Sequence, residues 1–200
     1  MPTPDEAFVR ATIAKNQRGA RLHAAMLGGW AAVRETYPGL AWWRRKSTRA
    51  ALVWEHSVDQ AIAAFSGDPG VVPIPHHDTL SFIFDDGVLC RMKKADLELR
   101  TSNIQTDLAS LFHQHDEDLF GYSGLQRVEA AYVLNQFQTE MRWVGIVARD
   151  KKKTLWNFAL DAVVERGTVL DFPEKARGKT ADLAKLRNPK IDERKDNENE

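Results

Sequence analysis

Between Thr79 and Lys93 the chain reads TLSFIFDDGVLCRMK, and its hydrophobic period becomes two. Leu80, Phe82 and Phe84 alternate with polar or lighter side chains, and Val88, Cys90 and Met92 do the same after Asp85-Asp86-Gly87. Successive strand side chains point to opposite faces, so this is the pattern of two strands sharing one buried face. The faces decide the turn. A two-residue Asp86-Gly87 loop would pair Phe84 with Leu89 and put the second apolar set out of step. A three-residue loop pairs Phe84 with Val88, Phe82 with Cys90 and Leu80 with Met92, which keeps one face whole. It also puts Gly87 where a left-handed residue is wanted.

Three more segments read as strands: RVEAAYVLN, with Val128, Ala130, Tyr132 and Leu134 on one face, then EMRWVGIVARD and TLWNFAL. Short polar turns between them predict an antiparallel meander. SNIQTDLASLFHQH, from Ser102, predicts an inserted helix with a Ser102/Gln105 capping box and a stripe of Ile104, Leu108 and Leu111.

The first part of the chain has helical periodicity. TPDE predicts a start with Thr3 as cap, Pro4 in the first turn and Glu6 closing a capping box. Leu22, Met26, Gly29–Trp30, Val33 and Tyr37 then recur at helical spacing, in one helix or in two broken near Gly19. A further helix is expected over about Ser47–Phe65, with Ala51, Trp54, Val58, Ile62 and Phe65 on one side, although AALVWEH within it also reads as a strand. SGDPGVVPIPHHD, with three prolines and two glycines, is expected to break regular structure.

The expected fold is therefore α+β, a helical N-terminal half (4–66) packed on an antiparallel sheet of about five strands (79–162) with one inserted helix. With 200 residues, 43% of them hydrophobic, the chain has enough apolar material for one core. A single domain is expected over 1–172. The segment 173–200 holds eight basic and seven acidic side chains and almost no large apolar ones, the composition of a disordered tail. No apolar run is long enough to span a bilayer, and MPTPDEAF has no secretory pattern. The lone Cys90 excludes an internal disulfide, fits a reducing cytoplasm and reads as a small buried hydrophobe.

Charge is balanced overall but segregated along the chain. Residues 1–50 hold nine basic and three acidic side chains, a net of +6, while residues 51–90 hold six acidic and none basic, a net of −6. Residues 101–126 add four acidic and none basic. The blocks either form opposed faces or pack together and cancel.

LAWWRRKSTR, residues 40–49, joins four cations to two tryptophans. Cations for phosphates and aromatic rings for bases are the materials of a nucleic-acid surface. Trp42, Trp43, Arg44, Arg45, Lys46 and Arg49 are therefore candidate contacts with nucleic acid or an acidic protein, and the basic turn Lys151, Lys152 and Lys153 could join them. The plainer reading buries at least one of these tryptophans between helices.

FHQHDEDLF and PHHD supply a different set, His113, His115 and Asp116 with His76, His77 and Asp78. If the two clusters meet, they offer enough ligands for a divalent metal, although no recognised spacing supports it. Asp86 with Glu98 and Arg100 is the nearest approach to a nuclease triad. P-loops, nucleophile elbows and Rossmann glycine patterns are absent. The compact body, charged tail and lack of a catalytic signature resemble in style the small accessory proteins of bacterial mobile elements and defence loci.

The expected function is binding without catalysis and without a cofactor, with a protein or nucleic acid as target, no membrane, and self-association left open. The alternative is a metal-dependent phosphodiesterase or nuclease built on the His/Asp clusters. The tail lacks the apolar area to offset an ordering cost of about 1–2 kcal/mol per residue. Truncation after Phe172 is therefore expected to leave the melting temperature within a few degrees of the full chain, as read by differential scanning calorimetry.

Overall fold

A computed structural model of the chain describes residues 3–39, 43–76, 79–101, 112, 122, 124–151 and 153–160. The expected inserted helix, apart from Phe112, and the charged tail lie outside these residues.

Helix α1 spans Glu6–Ala14 and is capped by Asp5, whose carboxylate accepts the Ala7 N–H at 3.1 Å. Thr3 and Pro4 thus precede the helix instead of opening it. The Pro4 carbonyl is engaged elsewhere, accepting the Trp156 indole N–H at 2.8 Å. One 3-10 turn, Lys15–Gln17, leads into α2, Arg18–Thr36. Asn16 and Gln17 both have positive φ, 50° and 55°, so the chain breaks close to Gly19 as expected. The expected stripe on α2 is buried: Leu22, Met26, Gly29, Trp30 and Val33.

Helix α3 spans Lys46–Phe65 without a break, so AALVWEH is helical. Its buried stripe is Val53, Ser57, Val58, Ala61 and Phe65. Ala51 and Ile62 are exposed, so the buried face is rotated from the one expected. The close approach of α2 explains this. A Cβ on Gly29 would fall on the Ser57 backbone. Only small side chains fit at that crossing, and Trp54 is left half-buried beside it.

Six strands follow: β1 (Val71–His76), β2 (Thr79–Phe84), β3 (Val88–Ala95), β4 (Gln126–Leu134), β5 (Met141–Asp150) and β6 (Lys153–Ala159). They form one sheet in sequence order. The β2–β3 hairpin has the predicted register, with Phe84 opposite Val88 and Phe82 opposite Cys90. Its left-handed residues are Asp85 and Asp86, at φ 47° and 50°, and not Gly87. Short carboxylate side chains tolerate that region, and Asp85 is held there by ion pairs described below. Glycine at 87 answers a different need, since a Cβ there would lie 2.9 Å from the Phe8 ring.

The sheet departs from expectation in two ways. Val71–His76 is a sixth strand inside the segment expected to be irregular. It lies at the edge of the sheet, where Pro73 and Pro75 are tolerated because the missing N–H groups need no second neighbour. Strands β3 and β4 are parallel, so the sheet is mixed. The chain between them must cross back over the sheet, which a meander would not require.

The helices cover one face, where Phe82, Phe84, Cys90, Met92, Val128, Ala130, Tyr132 and Leu134 join the main core as the alternation predicted. Cys90 is fully buried, and burial pushes its thiol up to about 12. The opposite face is buried as well, by Ile83, Leu89 and Leu125 with Phe112, and by Ala131, Val133, Trp143 and Val147. Burial on both faces suits the parallel pair at the centre of the sheet. No helix among the described residues is long and apolar enough to cross a membrane.

A buried ion-pair network ties the helices to the sheet. Arg18, at the start of α2, donates two hydrogen bonds to Asp68 at 3.0 Å each and one to Asp85 at 2.8 Å. Lys15 pairs with Asp85 at 2.7 Å and Arg21 with Asp68 at 3.2 Å. The Arg18 hydrogen bonds hold both carboxyls below the usual range and raise the guanidinium.

Removing one partner of such a network leaves buried charge uncompensated, at about 3–5 kcal/mol. Arg18→Met should therefore lower unfolding stability by about that amount, and Arg21→Met, which is part-exposed, by less. The pH dependence has a definite sign. Carboxyls depressed in the folded state contribute stability that is complete above the unfolded aspartate value of about 3.9 and is lost as pH falls through the lower folded values. Urea denaturation at a series of acid pH values should show this limb in the wild type and a flatter one in Arg18→Met.

Candidate nucleic-acid interface

The N-terminus of α3 is unusual in its charge. Arg45 is the cap residue, extended at φ −85° and ψ 109°, and makes no side-chain capping bond. The first turn holds no acidic residue and opens on Lys46. A helix N-terminus carries about half a positive charge, so cations here oppose the dipole. Arg44, Arg45 and Lys46 are all exposed. Trp43 is 38% exposed, with its ring edge-on to Tyr37 at 5.7 Å. Trp43 is therefore not the buried tryptophan that the plainer reading expected, and Trp42 lies outside the described residues.

Behind this terminus is a cavity of about 190 Å³. Trp30 of α2, Tyr37 just past its end and Tyr132 of β4 supply aromatic walls, and Arg34, Arg49 and Lys94 supply charge. No carboxylate among the described residues lines it. Burial lowers the Lys94 ammonium, and the nearby Arg49 and Lys46 lower it further. Lys94 donates to the Gln138 side-chain oxygen at 3.2 Å. The Arg34 guanidinium stands 6.0 Å from the Trp30 ring. Tyr132 is 2% exposed, burial raises its phenol, and its hydroxyl makes no hydrogen bond among the described residues.

The β4–β5 turn forms one side of the cavity. Asn135 braces it by accepting the Thr139 N–H and donating to the Thr139 hydroxyl. Gln138 sits at φ 55°, in a region that non-glycine residues seldom occupy. Phe137, next to it, is 71% exposed. Leu97, just past the end of β3, is 58% exposed at the same end of the sheet. The carboxylates nearby, Asp96 and Glu98, are both tied to Arg100.

The other candidates lie elsewhere. Lys151 and Lys153 flank the β5–β6 turn, at the far end of β5 from the cavity, while Lys152 is outside the described residues. Ten residues of strand separate the two basic clusters by roughly 30 Å, so they do not form one patch. His76 closes β1. His77, Asp78, His113, His115 and Asp116 are outside the described residues, among which no group of three His, Cys, Asp or Glu side chains gathers. Asp86 and Glu98 lie beyond opposite ends of β3, so that triad does not assemble.

Two features escaped the sequence reading. Phe137 was one, and its only signal is a lone aromatic in the polar turn NQFQTE. The second is a layer of buried charge on the sheet face opposite the helices. Arg91, Arg127, Glu129 and Arg149 are each under 8% exposed. Thr101 donates its hydroxyl to Glu129 and accepts from Arg149 at 3.2 Å. Arg91 donates to Ser81 and lies 4.3 Å over the Phe112 ring. Burial pushes the Glu129 carboxyl up, against the pull of Thr101 and the surrounding cations.

The chain matches no protein-family model, no curated protein and no solved structure. The geometry therefore stands without a relative beside it.

Proposed function

We propose that the chain is a non-enzymatic binding protein whose target is single-stranded nucleic acid, held at the α3 N-terminus. One observation carries this reading. Arg44, Arg45 and Lys46, the exposed rings of Trp43 and Phe137, and a cavity lined by Arg34, Arg49 and Lys94 and by no carboxylate among the described residues occur together at one end of the sheet. Single strands are bound by cations that follow the phosphates and by aromatic rings on which bases stack. The dipole of α3 adds to the attraction for an anion at its N-terminus. A duplex would hide its bases from Trp43 and Phe137, so exposed rings favour a single strand.

The test is a filter-binding titration of the full chain against a labelled oligothymidylate at several salt concentrations. Each phosphate contact contributes about 0.7 to the log–log salt slope on a single strand, so four contacts give a slope near −2.8. Replacing Arg44, Arg45 and Lys46 together by alanine should flatten the slope by about 2. The melting temperature should hold, because exposed charges contribute little to stability. Absence of binding at low salt removes nucleic acid as the target and leaves an acidic protein surface in its place.

A further inference from the structure

We infer that the cavity behind the α3 N-terminus is a pocket for a phosphate monoester, the phosphorylated end of the bound strand. This inference rests on the single-strand reading above and names the part of the strand that the pocket takes.

Shape is the first ground. The inner lining includes Trp30, Val53, Tyr132 and Leu134, each 9% exposed or less and each a member of the main core. The outer lining includes Arg34 and Thr139, both exposed. The cavity therefore opens outward and ends in the core. A phosphodiester within a strand carries chain on both sides and needs two ways out, whereas a chain end needs one. The volume, about 190 Å³, is several times the roughly 30 Å³ that one water takes in the liquid. A tetrahedral phosphate has room to enter.

Charge is the second ground. Arg34 comes from α2, Arg49 from α3 and Lys94 from β3, so cations line the cavity from three elements. A monoester carries about −1.5 to −2 at neutral pH, against about −1 for each phosphate within a strand. The cation cluster is matched better by the first. A guanidinium presents a planar fork of donors that pairs two phosphate oxygens, and an ammonium adds a point charge. A monoester also has three terminal oxygens to accept from such a cluster, where a diester has two. Lys94 fits the same picture. Burial lowers its ammonium, and Arg49 and Lys46 lower it further. A dianion beside it favours the charged form.

The experiment compares three internally labelled oligothymidylates by fluorescence anisotropy on the full chain. One has a 5′-phosphate, one a 3′-phosphate, and one is a nucleotide longer with hydroxyls at both ends. The longer strand adds a phosphodiester and so corrects for charge alone. Inorganic phosphate is titrated in parallel at constant ionic strength, with the melting temperature as readout. The pocket predicts that one phosphate-ended strand binds about 10-fold tighter than the longer strand, the effect of one hydrogen bond between charged groups. The end preferred gives the direction of the strand. Arg34→Gln and Lys94→Gln should each reduce that preference about five-fold. Arg34 is exposed and Lys94 half-buried, so both variants should fold, as checked by circular dichroism. Inorganic phosphate should raise the melting temperature of the wild type and act less on either variant. Equal binding of the three strands, or a preference that neither substitution alters, overturns the pocket while strand binding stands. A rise with inorganic phosphate that both substitutions reduce, with no strand bound, upholds the pocket and removes the strand. No strand bound and no such rise overturns both.

Discussion

The ion pairs of Arg18 tie the helices to the sheet. Its guanidinium joins the first residue of α2 to Asp68, in the link from α3 to β1, and to Asp85, in the β2–β3 turn. Those three points are distant in sequence, and the Phe65 and Phe84 rings meet beside them at 5.5 Å. The fit is tight enough to constrain its neighbours. Gly70 cannot carry a Cβ, which would fall on Arg18 and Asp85. Asp68 also accepts the Gly70 N–H at 3.1 Å, and Asp85 donates its own N–H to the Gly70 carbonyl at 2.8 Å. Bidentate geometry with each carboxylate further hydrogen-bonded is the condition under which a buried ion pair offsets its desolvation. Asp85 can therefore hold a left-handed backbone that the sequence pattern had assigned to Gly87.

The helical face of the sheet was legible because its chemistry is simple. Leu80, Phe82, Phe84, Val88, Cys90 and Met92 alternate without exception, and a face that must meet helices tolerates nothing else. The opposite face was not legible. Arg91, Arg127, Glu129 and Arg149 occupy the intervening positions and read as solvent-facing. On that side Phe112 and Tyr122 pack with Ile83 and Leu89, Arg91 lies over the Phe112 ring, and Thr101 meets Glu129 and Arg149. Alternation records polarity but not what covers a face. Period alone also hid β1, since Pro73 and Pro75 argue against any strand with two neighbours and are harmless on an edge.

The candidate site was half legible for a related reason. LAWWRRKSTR marked Trp43, Arg44, Arg45, Lys46 and Arg49 because they are contiguous. Trp30, Lys94, Tyr132 and Phe137 come from three other parts of the chain, and only the fold brings them to the same end. Periodicity had classed Trp30 and Tyr132 as core, and both are buried. Their walls face a cavity as well as a core, which a one-dimensional pattern does not distinguish.

The segregated charge blocks meet at one end of the α2–α3 pair. Helices α2 and α3 run antiparallel, with Arg21 beside Ala64, Gly29 against Ser57, and Arg34 and Arg49 lining one cavity. At the first end, Lys15, Arg18 and Arg21 meet Asp68 and Asp85. At the other end, Arg34, Arg49 and Lys94 line a space that no carboxylate among the described residues lines. The Lys94 ammonium is depressed first by its burial and further by Arg49 and Lys46. Like charges held together at the positive end of a helix dipole raise the free energy of the unliganded protein. The tight crossing at Gly29 and Ser57 fixes the helices, so this end cannot relax by drawing them apart. Under the single-strand reading proposed above, a phosphate held here would meet cations already gathered, and part of its affinity would come from relief of their repulsion.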